Sequence, residues 1–82
     1  MNTGPAMTTV EQLIELSAKR FKVEASALKA QEDIFQSLGI DSMHVLELLT
    51  EVELEFDVEI PDYELRDVKT FAQLAECIDR RL

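Results

Sequence analysis

Eighty-two residues with a hydrophobic fraction of 46% make one small folding domain rather than a disordered chain. A single cysteine excludes an intrachain disulfide framework and a paired-cysteine zinc motif, and no apolar run exceeds two residues, so no segment reads as a membrane-spanning helix. The formal net charge of −9 disfavours binding to nucleic acid or to anionic lipid.

Residues 1–7 are small and polar, without the basic flank and apolar stretch of a signal peptide. They read as a flexible tail ahead of a domain over 8–82, and a cytoplasmic setting is expected. The first helix is predicted over 10–21. Thr8 with Glu11, or Thr9 with Gln12, supplies a capping-box pattern. Val10, Leu13, Ile14, Ser17, Ala18 and Phe21 share its core face, and Lys19, Arg20 and Lys22 complement the dipole at its end. A long connection over 23–40 follows, with no sustained period, one possible short turn over 26–30, and Phe35 and Leu38 as expected anchors. Gly39 permits a positive φ before the next helix.

That second helix is predicted from 41 or 42 to 56. Asp41 is a favoured N-cap, Ile40 and Val45 occupy hydrophobic-staple positions, and Ser42 becomes the first helical residue with its hydroxyl outward. Two apolar stripes run along this helix. Val45, Leu48, Leu49, Val52 and Phe56 make a core face, while Met43, Leu46, Thr50 and Leu54 lie opposite and are expected to be exposed near Ser42. Pro61 breaks the chain, 62–65 can form one short helical turn, and Val58 and Ile60 point inward. Thr70 and Gln73 open the last helix, whose core face is Phe71, Leu74, Ala75, Ile78 and Leu82, with Cys77 at its boundary. The fold class is therefore all-α: a small bundle of three main helices plus one short helix, with a long loop between the first and second.

The excess charge sits on one segment. Residues 41–65 hold nine of the 17 acids and no Lys or Arg, while the remainder balances eight acids against eight bases. Such a stretch suits basic protein partners. Asp57, Glu59 and Asp62 do not follow an EF-hand spacing, so no metal site is expected.

Ser42 is the residue around which function turns. As a nucleophile it lacks a base: His44 is two residues on, a spacing that does not face it on a helix, and there is no G-x-S-x-G elbow. As a phosphate ester it would sit at the positive end of a helix dipole, although Asp41 next door opposes it.

Here the chain resembles a known family. Asp33-Ile34-Phe35-Gln36-Ser37-Leu38-Gly39-Ile40-Asp41-Ser42-Met43 is similar to the modification site of acyl carrier proteins. Glu55-Phe56, Glu59-Ile60-Pro61-Asp62, and Val68, Thr70 and Phe71 resemble the family's later segments in the same order. The resemblance implies that Ser42 carries 4′-phosphopantetheine, whose thiol holds acyl groups as thioesters, and that the protein itself catalyses nothing. It implies that Asp41 flanks the modified serine and that Met43, Leu46, Glu47 and Glu51 contact partners. Those partners would be a phosphopantetheinyl transferase and acyl-loading and acyl-processing enzymes with basic docking surfaces, served by a monomer. Three departures, at Met43, His44 and Leu54, tilt the expectation from housekeeping fatty-acid synthesis toward polyketide or other specialised biosynthesis. A peptidyl or D-alanyl carrier is an alternative within the same chemistry, and an unmodified helical adaptor is the alternative from another class.

Overall fold

The computed structural model describes residues 8–82 of the chain, so the expected tail over 1–7 lies outside the described residues. The main helices are α1 (Thr9–Phe21), α3 (Ser42–Phe56) and α5 (Phe71–Asp79), with short helices α2 (Ile34–Leu38) and α4 (Asp62–Leu65) between them. A single 3-10 turn covers Ala25–Ala27. The expected all-α class and helix order are borne out.

Both capping boxes form. The Glu11 N–H donates to the Thr8 hydroxyl oxygen at 3.2 Å while the Thr8 N–H donates to the Glu11 carboxylate at 2.9 Å. Thr70 and Gln73 repeat the exchange at α5. Three helices end in the same way. Lys22, Gly39 and Asp57 each adopt a left-handed conformation, with φ of 59°, 67° and 56°. The next N–H then reaches back five residues: Val23 to Ala18 at 3.0 Å, Ile40 to Phe35 at 3.1 Å, and Val58 to Glu53 at 3.1 Å. Each such turn delivers an apolar residue (Val23, Ile40, Val58) onto the core edge.

The core joins α1, α2, α3 and α5 into one cluster, and Leu65 of α4 packs against its edge. Leu13, Ile34, Leu48, Val52, Phe71, Leu74 and Ile78 are its most deeply buried side chains. Helix α1 packs along α5 and against α3. Ser17, on the core face as expected, is fully buried, and its hydroxyl donates to the Leu13 carbonyl at 2.8 Å.

Two details differ from expectation. The long connection contains α2, whose deep anchors are Ile34 and Leu38, while Phe35 is only half-buried. The connection is tied to the start of α5 by Ile34 N–H to Lys69 carbonyl at 2.7 Å and Ala72 N–H to Ala30 carbonyl at 2.9 Å. Leu82 is exposed rather than in the core, because α5 ends at Asp79. Beyond it, Arg81 and Leu82 donate to carbonyls only three residues back, which tightens the chain and ends the period that would have turned Leu82 inward. Arg81 instead donates to the Cys77 carbonyl at 3.1 Å and forks onto Glu64 of α4.

Candidate functional site

The start of α3 is built by the chain just before it. Gly39 ends α2 with φ of 67°, a conformation that glycine adopts at little cost. Ile40 then packs on the core edge, and Asp41 takes an extended conformation as N-cap. Its carboxylate accepts the His44 N–H at 3.1 Å and lies 2.8 Å from the His44 ring Nδ1. The donated His44 N–H, and then the imidazole, hold the Asp41 carboxyl below its ordinary range. Ser42 is the first residue of the helix, as expected, but its side chain lies outside the described set.

The two stripes of α3 separate as the spacing predicts. Leu48, Leu49 and Val52 are buried, with Val45 and Phe56 at the core edge. Met43, Leu46 and Leu54 are 74%, 54% and 78% exposed, which is unusual for large apolar side chains and leaves an apolar line open along the helix. Asp41, Met43 and His44, which bracket Ser42, are all exposed.

The acids are less free than their number suggests. Arg20 of α1 reaches across to both Glu47 and Glu51, at 2.9 and 3.0 Å. Glu53 turns back to accept the Ile60 N–H at 2.9 Å. Arg20 is the residue that sequence reasoning missed here, since it was placed only at a helix end. Nothing in a local pattern could have found a partner 27 positions away. Among the described residues, no group of three or more His, Cys, Asp or Glu side chains is gathered to hold a metal ion. Beneath α3, a cavity of about 30 Å³ lies among Phe35, Val45, Leu49, Leu65, Val68 and Leu74. It has about the volume share of one water molecule, and its walls are apolar.

A family model for the phosphopantetheine attachment site matches residues 11–78 of this chain. The chain belongs to the acyl carrier protein family. It is 32% identical over 77 residues to an acyl carrier protein of Porphyromonas gingivalis, covering 93% of this chain and 99% of that one. It is 32% identical over 73 residues to an acyl carrier protein of Campylobacter jejuni subsp. doylei, covering 89% and 95%. Among solved structures, that of the acyl carrier protein from Enterococcus faecalis superposes with a TM-score of 0.73 at 26% identity, covering 93% of this chain and 100% of that one.

Membership implies a covalently attached 4′-phosphopantetheine. The residues of this acyl carrier family member fit such a group. A 15-residue helix presents its N-terminus, where amide dipoles favour a phosphodiester. The exposed flanks at Asp41, Met43 and His44 leave room for a long arm.

Proposed function

We propose that this chain is an acyl carrier, not an enzyme, with Ser42 as its attachment point and the outer face of α3 as its docking surface. The observation that carries the reading is the coincidence at one helix start: a serine at the first helical position, an Asp41 cap before it, and exposed Met43 and Leu46 after it. When attached, the arm supplies a terminal thiol that holds an acyl group as a thioester. The chain's own residues do the rest. Asp41 fixes the start of α3 and presents a negative charge to the transferase. Met43 and Leu46 offer apolar contact, and Glu47 and Glu51 offer charge to basic surfaces of the transferase and of acyl-loading and acyl-processing enzymes. Tethering a cargo to a small monomer raises its effective concentration at each docked enzyme.

Met43, His44 and Leu54 support assignment to a specialised biosynthetic pathway. His44 engages Asp41 beside the attachment point, and Leu54 extends the apolar line along α3. No helix among the described residues is long and apolar enough to cross a membrane, and we place the carrier in the cytoplasm.

The test is intact-protein mass after incubation with coenzyme A and a broad-specificity phosphopantetheinyl transferase, with the Ser42→Ala variant alongside. A phosphopantetheine-sized gain on the wild type alone is expected. A folded wild type that gains no mass, beside a carrier that does, would favour an unmodified adaptor binding through the same face.

A further inference from the structure

The acidic face of α3 is already partly occupied by the protein itself. Glu47 and Glu51 stand one turn apart, where like charges repel. Arg20 bridges them: Nη2 donates to Glu47 at 2.9 Å, and Nε contacts Glu51 at 3.0 Å. Its guanidinium carbon also lies 5.8 Å from the centre of the Phe21 ring. The planar fork of an arginine can serve two carboxylates at once, and the pair then carries half the charge that its sequence suggests. The contact is open to solvent, with side-chain exposures of 36% for Arg20, 55% for Glu47 and 42% for Glu51. Ion pairs this exposed are weak and screened by salt, so they exchange readily.

Arg20 also forms one wall of a shallow groove of about 630 Å³ between α1 and α3, with Leu16, Thr50 and Leu54 among the other lining residues. Leu16 is half-buried and Leu54 is exposed, so the groove is apolar where the acids are not.

We propose that Arg20 is an internal counterion of the docking face, which a partner's basic residues displace in order to reach Glu47 and Glu51. This inference rests on the reading that partner enzymes dock on α3. The surface it describes fits a protein patch with an arginine, or two closely spaced cations, matching both carboxylates, beside one apolar side chain seated against Leu16 and Leu54. The exchange sets a modest threshold: a partner's cations have to offset the loss of a guanidinium already in place. Asp41 and Glu53 lie outside the exchange with Arg20, since their carboxylates meet His44 and the Ile60 N–H instead.

The experiment compares wild type with Arg20→Gln as substrates of a broad-specificity phosphopantetheinyl transferase, at low and high salt, with intact mass as the readout. Arg20→Gln is expected to raise kcat/KM several-fold at low salt, through KM, with a steeper salt dependence. The gain should vanish in a Glu47→Gln/Glu51→Gln background, because Arg20 acts through those acids. A folded Arg20→Gln protein with unchanged kcat/KM would overturn the inference, and a lower value would overturn it by making Arg20 a partner contact. Concentration-dependent dimerisation of Arg20→Gln with no kinetic gain would assign the groove to a second copy and overturn it too. A wild type that gains no mass at all would instead remove the carrier reading, in which the transferase docks on this face, and this inference with it.

Discussion

Asp41 caps α3 through one carboxylate that meets both the backbone N–H and the ring of His44. Its folded-state titration lies below the ordinary carboxylate range, so its stabilising effect is complete above that range. The effect is lost as pH falls through the depressed folded value. Glu64 has the same sign, held low first by hydrogen bonding from Arg81. An Asp41→Asn variant keeps an oxygen to accept the His44 N–H but has no charge to lose. Its melting temperature is expected to be lower than wild type at neutral pH and to fall less steeply between neutral and pH ~3, as followed by circular dichroism. Parallel pH profiles would show that the cap does not titrate with folding. The Asp41 cap was legible from residue type and position alone. The imidazole contact was less so, although His44 occupies the third helical position, from which a capping-box side chain reaches back. Cys77, expected at the boundary of a core face, is buried, and burial pushes its thiol up from the ordinary value.

Helix α3 fills the core on one side and leaves large apolar side chains exposed on the other. Its 15 residues contain neither glycine nor proline, and the apolar positions fall into two lines. Leu48→Ala should therefore cost about 2–5 kcal/mol in urea unfolding, since Leu48 is fully buried. Leu54→Ala should leave stability within about 0.5 kcal/mol while reducing transfer to partners. The reverse order of stability losses would mean that the stripes are assigned backwards. At this scale the long helices were readable from period and caps. Helix α2 was not, because five residues are too few to display a period. Its only local marks were the Asp33 cap, which accepts the Gln36 N–H at 3.0 Å, and Gly39 at its end. The deeper burial of Ile34 than of Phe35 follows from the backbone tie to Lys69, which aligns α2 with the start of α5.

Over the whole molecule, charge and packing meet where α1 crosses α3. A Glu47→Lys/Glu51→Lys variant puts two lysines beside Arg20 in place of a bridged pair. Transferase kcat/KM at low salt is expected to fall strongly, with helix content retained by circular dichroism and a modestly lower melting temperature. An unchanged rate at low salt would remove this face from docking. The amino-acid order by itself determined what is local: the helix class and order, the caps at Thr8, Asp41 and Thr70, the left-handed Gly39, and the serine-centred motif that resembles carrier proteins. These depend on near neighbours, through side chains that satisfy the free amides of a helix start and through periods set by helical geometry. Tertiary structure alone decided which acids are available. Residues 41–65 contain no Lys or Arg, yet Glu47 and Glu51 meet Arg20 across 27 and 31 positions, and Glu64 meets Arg81. Those meetings exist because burial of Leu13, Leu48, Val52, Phe71 and Ile78 in one core brings the helices side by side, and no run of sequence contains that geometry.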